Sequence, residues 1–234
     1  MFLNSQTRAK KEQVNNYRED DHLSTAVECG CLPYFFYVIR EGQLMKKLHL
    51  ISPIPPSVNH YLGYRAIIKN GKPMATSYKT AEAKKYQKEF KKYICEQVKK
   101  QDWDIAPNKL QHFYVDAVFY FDRTDKDPNN YFKCSLDAIT ETGLIWIDDN
   151  VVCERVQRIY YDSDNPRLEL IIYPVDYIGI FTNISQLEQF ETNCIGCSNY
   201  KRNCSILRKA KEGRIQSEIS DFVCSKYKKN SLEK

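Results

Sequence analysis

The sequence DKDPNNYFKCSLDAITETGLIWIDDN, residues 125–150, places acidic residues on both sides of one predicted helix. Asp127-Pro128 predicts the start of that helix, because aspartate accepts hydrogen bonds from free backbone N–H groups and proline suits the first helical position. The helix is predicted to end at Glu141, and a short apolar run then leads to Asp148 and Asp149. The stretch therefore predicts two carboxylate clusters that a short helix can bring back side by side.

Each cluster also has a purely structural interpretation. Asp127 is equally a helix cap, and Asp148-Asp149-Asn150 is equally a turn between buried elements. The two clusters together favour chemistry, since neighbouring carboxylates repel each other unless a cation lies between them. Mg²⁺ prefers such oxygen ligands, and a bound ion can activate water and stabilise charge on a phosphate. Lys133, six residues beyond Asp127, is placed to neutralise a phosphate oxygen or is an ordinary surface lysine.

The composition is that of a folded chain with a mild positive charge. The 234 residues are 42% hydrophobic and 28% charged, with a net charge of +5, which suits one domain plus an appendage. So small an excess is weak evidence for nucleic acid, because the placement of charge matters more than its sum. We find neither a transmembrane run nor a signal peptide. We therefore expect a cytoplasmic protein whose nine cysteines are thiols or metal ligands before they are disulfides.

The hydrophobic pattern predicts an α/β domain over residues 45–175. Residues 1–44 are interpreted as an N-terminal extension, either disordered or an ordinary leading helix. The predicted elements are a strand at Leu48–Ile51, a hairpin at Tyr64–Ser77 around Asn70-Gly71, a helix at 79–100, a strand at 111–122, the helix described above, and a second hairpin formed by strands 151–161 and 167–173.

Four motifs occur in order in this domain. They are PIPPSVNHY at 53–61, SYKTAEAKKYQ at 77–87, DPNNYFKCSLDAI at 127–139 and GLIWIDDNVV at 143–152. Each motif alone is weak, but together the four resemble the RusA-type Holliday junction resolvases. The resemblance implies an α/β fold with a small mixed sheet and two helices. We expect a small cysteine-rich module to follow this domain on its C-terminal side.

The resemblance further implies a Mg²⁺-dependent homodimer that resolves four-way DNA junctions by paired symmetric nicks, in recombination and repair. Such enzymes are common in prophages. The family's metal ligands fall on Asp127, Asn129 and Asp149, and its lysine falls on Lys133. Asp125, Asp148 and Asn130 are predicted to support them. The helix at 79–100 carries eight lysines and three glutamates; solvation alone explains such a face, but DNA backbone contacts are then expected from Lys84, Lys85, Lys88 and Lys92.

Asn129 departs from the family pattern, which has aspartate at this position. An amide oxygen can ligate Mg²⁺, but it brings no charge and cannot act as a base. A shifted register would restore the pair with Asp125 and Asp127, but it breaks the spacing to Asn130 and Lys133. The first alternative function is therefore a junction-binding protein that has lost turnover.

The composition changes after Pro174. Residues 176–193 are predicted to be a linker, and residues 194–234 a basic tail. Its four cysteines, Cys194, Cys197, Cys204 and Cys224, are predicted to bind zinc; an iron–sulfur cluster or unligated thiols are the alternatives. The resemblance does not cover this tail. The second alternative function is a zinc-dependent phage regulator that acts through it.

Overall fold

The structure is a computed structural model that describes residues 38–40, 43–202 and 204–230, with side chains from residue 46 onward. Most of the predicted extension 1–44 lies outside the described residues. The elements are β1 (Val38–Arg40), β2 (Gln43–Met45), β3 (Leu48–Pro53), α1 (Val58–Tyr61), β4 (Leu62–Lys69), β5 (Lys72–Lys79), α2 (Ala81–Lys100), β6 (Phe113–Phe121), α3 (Phe132–Thr140), β7 (Val152–Tyr161), β8 (Arg167–Pro174), α4 (Ile184–Cys194), α5 (Ser205–Lys211), β9 (Ile219–Ser220) and β10 (Val223–Cys224). Short 3₁₀ helices span Pro128–Asn130 and Asp149–Val151.

The centre of the domain is a mixed four-stranded sheet in the order β3-β8-β6-β7. β6 runs parallel to β7 and antiparallel to β8. Alternate residues of β6, from Phe113 to Phe121, are completely buried, as the predicted alternation requires. They pack in one apolar cluster with Phe90 and Ile94 of α2 and with Leu136 of α3. The predicted mixed sheet with two helices is confirmed.

The predicted hairpin of strands 151–161 and 167–173 is wrong. Both strands exist, but β6 lies between them and pairs with each. The physical reason is burial: alternate residues of β8 are buried, so it takes a central position, whereas β7 is largely exposed and lies at the edge. α3 is the crossover that makes β7 parallel to β6, since parallel strands need such a long connection.

The first predicted hairpin is confirmed as the separate two-stranded sheet β4–β5. Asn70 and Gly71 both have positive φ, 53° and 74°, which is the conformation of the tight turn that Asn-Gly favours. The predicted helix start at Pro128 is wrong in part. Residues 128–130 form a 3₁₀ turn, and α3 begins only at Phe132. Asp127 caps the 3₁₀ turn through a 3.0 Å hydrogen bond from the Asn129 amide.

The C-terminal segment is helical where a linker was predicted. α4 covers the second half of residues 176–193, and its Leu187 and Phe190 are buried. They form a small cluster with Phe181 and Ala210. No helix among the described residues is long and apolar enough to span a membrane.

On the sheet face opposite α2 and α3, one ionic cluster joins three strands. Asp116 of β6 accepts hydrogen bonds from Arg155 Nε of β7 at 2.7 Å and from the Tyr173 hydroxyl of β8 at 2.9 Å. Gln157 also donates to Asp116, at 2.9 Å. Partial burial acts to raise the pKa of Asp116, but these donors hold that pKa below its ordinary value. The ionised carboxylate therefore stabilises the folded sheet.

We predict that Asp116→Asn lowers the free energy of unfolding by about 1.5–3 kcal/mol at neutral pH, the range for hydrogen bonds to a charged group. Because the folded-state pKa is lowered, this contribution is present above the ordinary aspartate pKa of about 3.9 and is lost as the pH falls further. Urea unfolding at pH 7 and at pH 3 measures the difference, with the exposed Asp164→Asn as control. An equal loss at both pH values would contradict the prediction.

Candidate active site

The side chain of Lys133 joins Asp137 of α3 to Asp149, which belongs to the second predicted carboxylate cluster. Its ammonium group lies 2.8 Å from Asp137 Oδ1 and 3.1 Å from Asp149 Oδ2. Asp137 lies one turn further along α3, whereas Asp149 begins the 3₁₀ helix before β7. The hydrogen bond to Asp137, followed by that to Asp149, raises the pKa of Lys133 above its usual value, although partial burial opposes the shift. The lysine is therefore fully charged at neutral pH.

Asp137 was not among the predicted site residues. It follows Lys133 by four residues, the spacing at which side chains on one helix face meet, so the sequence contained the signal. Asp137 also accepts a short hydrogen bond from the hydroxyl of the buried Tyr61. The buried Gln87 of α2 donates to Cys134 O at 3.3 Å and to Tyr61 at 3.4 Å. These bonds fix α3, and with it Lys133, against α1 and α2.

Glu154 is a second acidic residue that the sequence reasoning missed. It lies on β7, five residues after Asp149. Partial burial and then the negative charge of Asp149 raise the pKa of Glu154, while Lys133 opposes this shift. Negative charge near Lys133 is thus in excess of what the lysine neutralises. No short sequence motif marks Glu154, because only the path of β7 brings it back toward α3.

The other predicted residues occupy the edges of this arrangement. Asp127 and Asn129 lie exposed at the 3₁₀ turn that contacts α3, and the Asn130 amide donates to Asp127 O at 3.1 Å. Asp148 caps the second 3₁₀ helix by accepting from the Asn150 amide at 3.0 Å. Asp125 instead pairs with Arg123 at 3.1 Å. Over the part of the chain that is described, no three His, Cys, Asp or Glu side chains form a ready metal-binding group.

The donor chemistry nevertheless fits a hard divalent cation. Asp127, Asn129, Asp149 and Glu154 offer only oxygen ligands, the class that Mg²⁺ takes in proteins. Burial first, and then the charge of Asp149, raises the pKa of Glu154, so a cation beside Asp149 would favour the ionised form of Glu154. Asp127 and Asn129 precede α3 in the chain, and Lys133 in the first turn of α3 contacts Asp149.

The lysines at the end of β5 and on α2 fall into two groups. Lys79 and Lys91 bind the carboxylate of Glu141, just beyond α3, at 2.5 Å and 2.6 Å. Their charges, Lys79 first, hold the pKa of Glu141 below its usual value. The four lysines predicted to contact DNA are exposed: Lys84, Lys85, Lys88 and Lys92. Of these, Lys92 lies 4.0 Å from Glu96, and no described carboxylate pairs with the other three.

The four tail cysteines also come together. Cys194, Cys197, Cys204 and Cys224 are partly buried free thiols that line one cavity of about 320 Å³. Burial, and then the thiols of Cys224, Cys204 and Cys197, raise the pKa of Cys194 to about 11. Backbone N–H groups, with that of Lys228 first, lower the pKa of Cys197 below its ordinary value. This cluster lies in the C-terminal segment, apart from Lys133 and its partners.

Comparison with known proteins identifies the family of the central domain. A family model of the endodeoxyribonuclease RusA matches residues 53–173, which run from the end of β3 almost to the end of β8. The match includes α2, α3 and both acidic groups, and it covers more than half of the chain. No curated protein matches the chain. The chain belongs to the RusA family of endodeoxyribonucleases.

Proposed function

We propose that this protein is a Mg²⁺-dependent endonuclease that resolves four-way DNA junctions by paired nicks. Family membership supports the general class, an endodeoxyribonuclease of the Holliday junction-resolving type. One observation supports the more specific proposal of Mg²⁺-dependent cleavage: Lys133 is held between Asp137 and Asp149, and the Glu154 carboxylate lies near Asp149. A cation site next to a fixed ammonium group suits phosphodiester cleavage, because both stabilise negative charge that develops on the phosphate.

Asp149 and Glu154, with Asp127 and Asn129 from the other acidic group, would hold the Mg²⁺. The ion, when bound, supplies an activated water and stabilises charge on the phosphate. Lys133 donates hydrogen bonds to a phosphate oxygen in addition to its carboxylate partners. Asp137 and Tyr61 position Lys133, while Asp148 and Asn130 fix the two 3₁₀ turns that carry the ligands.

The symmetry of the proposed substrate determines the oligomeric state that we propose. A four-way junction has two-fold symmetry, so two symmetric nicks need two symmetry-related active sites, which a homodimer provides. The exposed lysines of α2 supply backbone contacts that carry no sequence information. The homodimer, the cytoplasmic location and the prophage origin all stay predictions.

Asn129 supports a second candidate function, a junction-binding protein that has lost turnover. The amide brings no charge to the ion, and Asp125 is a poor substitute because Arg123 already pairs with it. Glu154 is the better substitute, since it lies within the electrostatic reach of both Asp149 and Lys133. The enzyme is therefore the first choice, and nicking assays distinguish the two functions.

We predict that the wild type makes paired, Mg²⁺-dependent nicks in a synthetic four-way junction. Asp149→Asn should reduce the nicking rate by about 100-fold or more, the loss expected when a group that stabilises developing charge is removed. The measurement is single-turnover cleavage on denaturing gels, with Asp164→Asn as the control. A wild type that binds but does not cut, together with cleavage gained in Asn129→Asp, would favour the binding protein.

We also predict that Mg²⁺ raises the Tm of the wild type by mass action on the folded state. Glu154→Gln should abolish most of this rise, because it removes the negative charge of a proposed ligand. Asp125→Asn should keep the rise, because Arg123 holds that carboxylate. Differential scanning calorimetry with and without Mg²⁺ measures the shift. The reverse result, with Asp125 essential and Glu154 dispensable, would favour the shifted register of ligands.

The lysine face of α2 has its own test. Each phosphate contact that is lost should reduce the slope of log K against log salt by about 0.9. The combined change of Lys84, Lys88 and Lys92 to Gln should therefore reduce the slope by about 2–3 without changing the junction preference. Fluorescence anisotropy at several salt concentrations measures it, with the exposed Lys109→Gln as control. An unchanged slope would mean that this face is only solvated.

A further inference from the structure

The tail cysteines converge from separate elements of the C-terminal segment. Cys194 ends α4, Cys204 precedes α5, and Cys224 ends the hairpin strand β10. Cys197 lies in the turn that follows α4. All four line the cavity of about 320 Å³, although Cys224 is thirty positions along the chain from Cys194. Local sequence alone does not bring such distant thiols together, so their convergence is a property of the fold.

The first two of these cysteines lie on one closed backbone turn. The Cys197 amide donates to Cys194 O at 2.9 Å, which closes the Cys-x-x-Cys turn.

The chain after Cys224 is tied to the same loop. Ser198 N donates to Lys228 O at 2.7 Å, and Asn230 N donates to Gly196 O at 2.8 Å. A Cβ at Gly196 would lie 2.6 Å from the Tyr227 hydroxyl, so a larger residue here would displace that side chain. The chain after Cys224 is therefore held against the turn between Cys194 and Cys197 by paired backbone.

The apolar core of this segment is small for its length. Its fully buried apolar residues are Phe181, Leu187, Phe190 and Ala210, whereas the cluster under the central sheet has twenty buried members. Segments with so little buried surface are usually stabilised by disulfides or by a structural metal. Cys194 and Cys224 pack against this small core, so a bound ion would join its elements where apolar contacts are few.

We propose that Cys194, Cys197, Cys204 and Cys224 bind one structural zinc ion in the C-terminal segment. Four thiolates complete the tetrahedral shell of Zn²⁺ and leave no open position, so the site is structural rather than catalytic. Mg²⁺ does not compete, because it takes oxygen ligands. The thiols must rotate toward the ion, since no described side chains stand at ligating geometry. The ten Lys and Arg of residues 198–234, against four Asp and Glu, offset the negative charge of the complex.

The test uses the full-length protein purified without added metal. Elemental analysis should find about one zinc per chain in the wild type and in Cys95→Ser, a control in α2. Cys197→Ser and Cys224→Ser should each lose at least about 10-fold in zinc affinity, measured by competition with a chromogenic chelator. Zinc retained equally by all four proteins would overturn the proposal.

A spectroscopic measurement on the wild type keeps the test independent of how the variants fold. X-ray absorption at the zinc edge should show four sulfur ligands at about 2.3 Å. Iron in place of zinc, nitrogen or oxygen ligands, disulfides found by mass spectrometry, or four freely reactive thiols would each overturn the proposal. Junction cleavage is not part of either measurement, so the zinc proposal stands or fails apart from the proposed nuclease activity.

Discussion

The contact of Lys133 with two carboxylates, one on α3 and one before β7, is the interaction on which the candidate site depends. One ammonium group satisfies Asp137 and Asp149 together, and Tyr61 holds Asp137 from the far side. These partners come from α1, α3 and the 3₁₀ turn at Asp149. The two ion pairs of Lys133 therefore form only when all three elements are packed together. The geometry of the site is thereby a consequence of the same packing that buries Phe132 and Leu136.

α2 has a double role in this arrangement. Its apolar residues fill the core, and its Gln87 supports the polar contacts of α3. Its Lys91, together with Lys79 of β5, neutralises Glu141 at the end of α3. Surface ion pairs contribute little stability on their own, but here two of them share one carboxylate. The remaining lysines of α2 are exposed, on the same helix that holds α3 in place. The proposed DNA surface and the proposed metal site therefore share a rigid support.

The sequence predicted the elements better than it predicted their partners. Alternation in β6, the Asn70-Gly71 turn and the periodicity of α2 are local signals, and all three predictions were confirmed. The pairing of β8 with β6 and β3 depends on burial in the finished sheet, so a local sequence pattern does not predict it. For the same reason the sequence reasoning missed Glu154, whose significance comes from a strand returning to a helix. It also missed α4, because its apolar residues serve only the small C-terminal cluster.

The central position of β8 has a consequence for the order in which the chain can fold. Among the described strands, β3 pairs only with β8, so a strand near residue 50 has no neighbour in the sheet until residue 174 is available. During synthesis, β3 therefore has no partner in the sheet for more than a hundred residues, and the edge of β6 that faces β8 stays unpaired until Arg167 and the residues after it are made. Such distant closure slows folding and leaves apolar strands open to wrong partners in the meantime. During translation, the four-stranded sheet of the nuclease domain can therefore be completed only after β8 has left the ribosome.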